Sequence, residues 1–232
     1  MKGKVYLVGA GPGDYKLLTL KGLECIKKAD VIVYDRLANK NYLKEAKENC
    51  EFIYVGKASS NHTLPQDDIN RVIADKAKEG KIVTRLKGGD PYVFGRGGEE
   101  GELLKEEAIE FEVVPGITSA IGGLCYAGIP ITHRDYASSF HVITGHLRDD
   151  DKENPEINWN ALANTNGTLV FLMGVANLQK ISSNLIKEGK SKDTPVALIS
   201  WATRSNQRVI TSTLENVYET AVRENVKPPT LI

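Results

Sequence analysis

The residues of this sequence best suited to chemistry are glycines and ionisable side chains that follow short apolar runs. Gly9-Ala10-Gly11-Pro12-Gly13-Asp14 comes after the first run, Asp35-Arg36 after the second, Gly56-Lys57 after the third and Gly88-Gly89-Asp90-Pro91 after the fourth. Runs that are apolar at consecutive positions are typical of strands in a parallel sheet covered by helices on both faces. Since open α/β sheets bind ligands at the carboxyl ends of their strands, these residues are expected at one site.

The densest cluster is the segment from Arg85 to Glu100, which holds five glycines, three basic residues and three acidic residues in sixteen positions. A plain turn does not require that density. Asp90 is suited to accept hydrogen bonds from a ribose or an amino group. Arg85, Lys87 and Arg96 are suited to bind carboxylates, with bidentate geometry available to the arginines.

Two further motifs leave alternatives open. The first glycine loop departs from the dinucleotide pattern GxGxxG, and Pro12 removes an N–H donor, so the loop is either a structural turn or a close approach to a flat ligand. Val114-Pro115-Gly116-Ile117-Thr118-Ser119-Ala120 ends a strand and opens a helix. Its hydroxyls are suited both to cap that helix and to hold a ligand.

The histidines do not indicate a metal site. None of the four lies in an HExxH or CxxC…H spacing, which disfavours zinc, and no metal is expected. His133-Arg134 follows an expected break between domains. The pair is suited to an anion-binding surface, or it is a surface pair with no role.

The order of strands and helices that must position these residues differs between the first and second parts of the chain. Strands and helices alternate in the first part, for example around the helical repeat of Ile69, Val72 and Ile73, which predicts a parallel α/β sheet. Later strands are expected at Phe140–Thr144 and 168–173, and at 196–200 and 208–213. The last two are candidates for an antiparallel hairpin, so the second sheet is expected to be mixed. We predict an N-terminal α/β domain over residues 1–130 and a C-terminal α/β domain over residues 131–232.

Composition narrows the class of protein. Thirty basic residues balance thirty acidic ones in the 232-residue chain, which argues against a nucleic-acid partner. The three cysteines are odd in number and form no CxxC, so a reducing, cytoplasmic location is expected. No apolar run approaches the roughly 18 residues that a membrane helix needs.

Together these segments resemble the uroporphyrinogen-III C-methyltransferases of the tetrapyrrole methylase superfamily. The segment GGDPYVFGRGGEE, at Gly88 to Glu100, is the most specific match, whereas the first glycine loop is shared across the superfamily. The matching segments run in order over nearly the whole chain: Val8–Asp14, Val33–Leu37, Val55–Lys57, Arg85–Glu100, Val114–Ala120, Gly128–Arg134 and Thr168–Gly174.

The resemblance implies two α/β domains, the first with a parallel sheet and the second with a mixed sheet, and an active site in the cleft between them. It implies an S-adenosyl-L-methionine cofactor, S-adenosyl-L-homocysteine as its product, and usually a homodimer. Asp35 is the implied proton acceptor, Lys57 the implied proton donor, and Arg85 a further catalytic candidate. The implied cofactor contacts are Pro12, Gly88, Gly89, Asp90, Val93, Thr118, Ser119, Met173 and Ala202, although Trp201-Ala202-Thr203 stands where a glycine-containing turn is expected.

The implied reaction is a double methylation of uroporphyrinogen III, at carbons 2 and 7, to give precorrin-2 for sirohaem or cobalamin synthesis. The substrate carries eight carboxylates, so a protein with no net charge must concentrate its positive charges at the entrance of the substrate-binding site. The expected substrate-binding residues are Arg36, Lys87, Arg96, His133 and Arg134. Arg85 is likewise expected to face the substrate, so that Arg85→Ala would impair turnover more than binding of S-adenosylhomocysteine.

Other functions remain open from the sequence. They are a later precorrin methyltransferase, the diphthamide or ribosomal-RNA branches, a nicotinamide-dependent dehydrogenase with Asp35 on the ribose, and a non-catalytic nucleotide-binding regulator. The terminal run Thr230-Leu231-Ile232 predicts a short strand. We expect the native chain to continue and complete this strand, and in some members of the family a uroporphyrinogen-III synthase follows on the same chain.

Overall fold

The computed structural model describes residues 3–56, 65–146 and 157–232. These residues form two compact units, Met1–Thr118 and Ser119–Ile232, called unit 1 and unit 2 below. None of the helices in the described ranges is long and apolar enough to cross a membrane.

Unit 1 is built around a five-stranded sheet with all of its strand pairs parallel, in the order β3-β2-β4-β1-β5. Helices cover both faces of the sheet: α2 and α3 pack on one, α1 on the other. This arrangement confirms the parallel sheet that the apolar runs predicted. The strands are β1 (Lys4–Gly9), β2 (Val31–Tyr34), β3 (Glu51–Tyr54), β4 (Ile82–Lys87) and β5 (Glu110–Val114), and the helices are α1 (Leu20–Lys28), α2 (Gln66–Lys78) and α3 (Gly97–Glu106), with 3-10 helices at Tyr15–Leu17 and Lys40–Glu45.

Unit 2 contains a mixed sheet, as predicted. β6 and β7 form a parallel pair, and β10, β8 and β9 form an antiparallel sheet in that order. Phe171 of β7 and Ile232, which follows β10, exchange both backbone hydrogen bonds and so link the two. The expected hairpin is confirmed, because β8 and β9 pair antiparallel. The elements are α4 (Ser119–Tyr126), β6 (Phe140–Thr144), α5 (Trp159–Asn164), β7 (Thr168–Leu172), α6 (Leu178–Lys187), β8 (Pro195–Ser200), β9 (Arg208–Thr213), α7 (Val217–Arg223) and β10 (Thr230–Leu231), with a 3-10 helix at Val175–Asn177.

The division between the units falls at the start of α4, whereas the sequence suggested a boundary after residue 130. The two positions are separated by α4 and the turn that follows it. Ala120 and Leu124 of α4 are buried among Val170, Ile199 and Leu231 of unit 2. The Gly128-Ile129-Pro130 turn is therefore a bend within unit 2, and not its first element.

An apolar cavity of about 520 Å³ lies in unit 2 where β10 stops. The cavity is lined by the amino-terminal halves of β7 and β8, including Thr168 and Val196, and by Ile232. It also reaches Leu124 of α4 and Leu185 of α6, which pack on opposite faces of the sheet. The cavity thus reaches both faces of the sheet.

Candidate active site

The carboxyl ends of all five strands of unit 1 lie at one edge of the sheet, because the strands are parallel. This edge brings the glycine loop after β1 together with Asp35-Arg36 after β2, Gly88–Asp90 after β4 and Gly116–Thr118 after β5. Lys57, the implied proton donor, lies outside the described residues, so its role stays a prediction.

Backbone hydrogen bonds join the loops at this edge. Gly11 and Gly89 exchange N–H···O bonds of 3.1 and 2.8 Å. The Asp90 carboxylate accepts from the backbone N–H of Tyr92 at 2.8 Å and from that of Gly116 at 3.0 Å. Asp90 therefore ties the loops after β4 and β5 together, and each of its oxygens keeps a lone pair for a ligand donor.

Tyr42 braces the first glycine loop from behind. Its side chain is completely buried, and its hydroxyl donates to the carbonyl oxygens of Ala10 at 3.1 Å and Asp14 at 3.2 Å. Asn39 Nδ2 donates to the carbonyl oxygen of Gly13 at 2.8 Å. The loop conformation is thus set by side chains near the 3-10 helix after β2, in addition to its own glycines.

Tyr42→Phe is expected to weaken the binding of S-adenosylhomocysteine about three- to tenfold while kcat changes little. The lost hydroxyl leaves two carbonyl groups without this donor, at a cost of about 1–1.5 kcal/mol. Isothermal titration calorimetry measures the affinity. Tyr218→Phe, on α7 of unit 2, is the matched control, and an equal change in both variants would contradict the bracing role.

Arg85 and Lys87 lie on the same face of β4, because alternate residues of a strand point the same way. That face packs against α2 and α3, and the two residues are only 4% and 3% exposed. Glu100 of α3, 1% exposed, meets both charges through one oxygen: Oε1 accepts from Arg85 Nε at 3.1 Å and from Lys87 Nζ at 2.6 Å. Gln66 of α2 donates to the same oxygen at 3.3 Å.

This geometry gives Arg85 and Lys87 a buried partner, Glu100, that the sequence did not predict. Both charges face Glu100, because a cation buried on a strand face requires a buried counter-charge. Their expected contact with the carboxylates of the substrate stays a prediction. Burial and the nearby Arg85 guanidinium lower the pKa of the Lys87 ammonium, while the Glu100 carboxylate opposes this effect.

Asp35 is held at both of its carboxylate oxygens. Oδ1 accepts from the backbone N–H of Leu37 at 2.9 Å, and Oδ2 accepts from Arg85 Nη2 at 3.2 Å. The side chain stays partly open to solvent, at 27% exposure. Gly88 packs directly on Leu37, since a Cβ at Gly88 would lie 2.6 Å from the Leu37 Cβ. The candidate proton acceptor is therefore fixed in orientation next to the loop after β4.

The loop between β4 and α3 carries backbone strain. Phe94 and Arg96 have φ angles of 52° and 57°, a left-handed conformation that costs non-glycine residues free energy and often occurs at functional sites. Arg96 is exposed and forms a bidentate ion pair with Glu99 at 2.8 and 2.7 Å. Val93, an implied cofactor contact, is half-buried in this loop.

Unit 2 holds three of the implied cofactor contacts, Ser119, Met173 and Ala202, which lie at the start of a helix or after the end of a strand. Met173 and Ala202 follow the carboxyl ends of β7 and β8. A Cβ at Gly123 of α4 would lie 2.9 Å from the Ala202 Cβ, so this helix, which begins at Ser119, packs at the same edge. Trp201 and Thr203 have φ angles of 51° and 65°, so the turn adopts a glycine-like conformation without glycine.

His133 and Arg134 lie on an exposed turn of unit 2. The backbone of His133 pairs with Ala137, and its ring Nδ1 accepts from the Asp135 N–H at 3.2 Å. Within the described ranges, no cluster of three or more metal-ligating side chains is found. His133 therefore belongs to a local turn, and its role with substrate stays a prediction.

The site residue that sequence reasoning missed is Glu100. It lies on α3, a helix that the sequence did not reveal, because two glycines in its first turn lower helix propensity. A usable signal was present nonetheless. Arg85 and Lys87 occupy alternate positions of a strand that is otherwise buried, and this pattern requires an anion on the facing helix.

The residues at the edge of unit 1 suit an S-adenosyl group. Its amino group and ribose hydroxyls need acceptors, and its adenine needs backbone donors and acceptors. The carboxylate of Asp90 supplies acceptors, and the backbone groups of the joined glycine loops supply both donors and acceptors. Glycines at 9 and 116 let the loops after β1 and β5 approach each other, since a Cβ at either would lie within 3 Å of the backbone of the other.

Comparisons with known proteins agree with this chemistry. Residues 4–218 match the family described as tetrapyrrole (corrin/porphyrin) methylases. A uroporphyrinogen-III C-methyltransferase of Priestia megaterium is 53% identical over 230 residues, covering 99% of this chain and 96% of the relative. One of Methanocaldococcus jannaschii is 53% identical over 233 residues, covering 100% and 95%. The crystal structure of uroporphyrin-III C-methyl transferase from Thermus thermophilus, complexed with S-adenyl homocysteine, has a TM-score of 0.82 at 38% identity and covers 99% of this chain and 90% of that one.

Proposed function

Because this chain belongs to the tetrapyrrole (corrin/porphyrin) methylase family, we propose that it is an S-adenosylmethionine-dependent C-methyltransferase acting on uroporphyrinogen III. The reaction methylates the substrate twice, at carbons 2 and 7, and gives precorrin-2. The observation that carries the proposal is the single edge of unit 1 at which joined glycine loops lie beside a fixed carboxylate, Asp35.

The residues of unit 1 have two roles in this reaction, cofactor binding and proton transfer. Bound S-adenosylmethionine would supply a methyl group that its sulfonium makes electrophilic. Pro12, Gly88–Asp90, Val93 and Thr118 hold the cofactor, and positioning of this kind supplies a large part of the rate enhancement. Asp35 takes the proton that leaves the methylated pyrrole, and Arg85 and the Leu37 N–H keep its carboxylate oriented.

Substrate carboxylates are met by exposed cations. Arg36 follows Asp35 directly and is exposed, and Arg96 is exposed beside Glu99. On unit 2, His133 and Arg134 are also exposed. Arg85 and Lys87 are assigned to the support of Asp35 instead, because their charges are already neutralised by Glu100 and Asp35.

A methyl-transfer assay with uroporphyrinogen III tests the proposal. The purified chain is incubated with S-adenosylmethionine carrying a labelled methyl group, and the product is analysed by mass spectrometry. We expect a product heavier by two methyl groups, with release of S-adenosylhomocysteine. Methylation of a later precorrin, but not of uroporphyrinogen III, would overturn the substrate and leave the family membership intact.

Three expectations from the sequence stay predictions. They are the sirohaem or cobalamin pathway that uses the product, the cytoplasmic location and the homodimer. Light scattering coupled to size-exclusion chromatography decides the last of these. A mass near 51 kDa, twice the 25.5 kDa of the chain, is expected.

A further inference from the structure

Glu100 is buried behind the site and contacts nothing that reacts, yet it holds the side chain that contacts Asp35. Its Oε1 accepts from Arg85 Nε and Lys87 Nζ, while Oε2 is buried and has no hydrogen-bond partner among the described residues. One carboxylate oxygen thus anchors two cations. Moving Glu100 would therefore release both cations at once.

Arg85 transmits this anchoring to the sheet edge. Its Nη1 donates to the carbonyl oxygens of Val33 at 3.4 Å and Leu86 at 3.1 Å, and its Nη2 reaches Asp35 Oδ2 at 3.2 Å. The guanidinium is planar and rigid, so anchoring Nε at Glu100 sets the direction of Nη2. The hydrogen-bonded chain runs from α3 through β4 to the end of β2, within unit 1.

We propose that Glu100 is a positioning residue that, through Arg85, fixes the carboxylate of Asp35 for proton transfer. The proposal rests on the proposed function, since it assigns Asp35 the role of proton acceptor. Lys87 completes the network as the second cation, so that Asp35, Arg85, Glu100 and Lys87 carry equal positive and negative charge. A neutral network tolerates burial far better than one with an unpaired charge.

A double-mutant cycle between Glu100 and Asp35 tests the coupling. Glu100→Gln keeps the shape of the side chain and removes its charge, and we expect kcat to fall about tenfold to a hundredfold, as a small misplacement of a reacting group does. The Kd for S-adenosylhomocysteine is expected to change less than twofold. In the Asp35→Asn background the same substitution is expected to lower kcat less than threefold, because nothing remains to be positioned.

The result that overturns the proposal is an equal fold-loss of kcat from Glu100→Gln in both backgrounds, which indicates a purely structural residue. Glu107→Gln is the matched control: this carboxylate lies at the end of α3, pairs with Lys78 at 2.8 Å, and is remote from the strand edge. We expect it to leave kcat and Kd unchanged. Glu100→Asp keeps the charge and shortens the reach, and it should lower kcat as Glu100→Gln does.

A charge-balanced variant covers the case in which Glu100→Gln fails to fold. Glu100→Gln combined with Lys87→Met removes one charge of each sign, and the melting temperature should recover. Its kcat is expected to stay tenfold or more below that of Lys87→Met alone, since Arg85 still lacks its anchor. Recovery of kcat together with folding would show that Glu100 only balances charge.

A crystal structure of Glu100→Gln separates this proposal from the proposed function. We expect the Arg85 Nη2 to Asp35 Oδ2 distance to exceed 4 Å in the variant. A retained distance near 3.2 Å overturns the positioning role whatever the substrate is. Absence of turnover in the unaltered protein, with the distance changed as expected, contradicts the assigned reaction instead.

Discussion

Asp35→Asn is expected to lower the kcat for methylation of uroporphyrinogen III by about 10²–10⁴-fold, the usual contribution of a positioned general base. The amide has the shape of the carboxylate and can keep the bond from the Leu37 N–H, but it cannot accept a proton. The cofactor contacts that the resemblance implies lie on other loops, so the Kd for S-adenosylhomocysteine should change less than twofold. Steady-state kinetics and titration calorimetry give the two quantities.

Asp75→Asn provides the comparison for this variant. Asp75 is exposed on α2 in the same unit. We expect its replacement to leave both kcat and Kd unchanged. If Asp35→Asn keeps kcat within threefold of the unaltered protein, the proton acceptor is another group, and a bound water is the next to examine.

Gly116→Ala is expected to reduce the free energy of unfolding of unit 1 by about 1–3 kcal/mol and to abolish measurable binding of S-adenosylhomocysteine. A Cβ at this position would lie 2.7 Å from the Cα of Gly9 and even nearer to the carbonyl oxygen of Gly89. These are backbone atoms of the loops after β1 and β4, so no side-chain rotation relieves the overlap. The loops must separate, and the hydrogen bond from Gly116 to Asp90 is lost with them.

Gly98→Ala is the matched control for this substitution. A Cβ at Gly98 meets nothing within 4 Å, and the residue lies in the first turn of α3. Alanine is also the better helix former, so its melting temperature should stay equal or rise. Chemical denaturation monitored by circular dichroism compares the two variants. Similar stability for Gly116→Ala and Gly98→Ala would show that the loops after β1, β4 and β5 separate at little cost.

Most strands of both units could be predicted from the sequence because their side chains are apolar on consecutive positions. The strands expected at Phe140–Thr144 and 208–213 coincide with β6 and β9. Helix α2 followed from Ile69, Val72 and Ile73, apolar positions that repeat every three to four residues. By contrast, α3 begins with two glycines and α5 has only six residues, so neither has a clear periodic signal.

The sequence by itself determined the parallel and mixed sheets, the loops at the strand ends and, through its resemblance to a family, the chemistry. Those features depend on local composition and on motifs, which a linear chain displays directly. Only the tertiary structure decided the partners of the charged side chains. Strand order places β4 beside β2, and packing brings α3 over that face, so Arg85 and Lys87 meet Glu100. A sequence shows that buried cations need an anion, but which carboxylate supplies it depends on contacts between elements far apart in the chain.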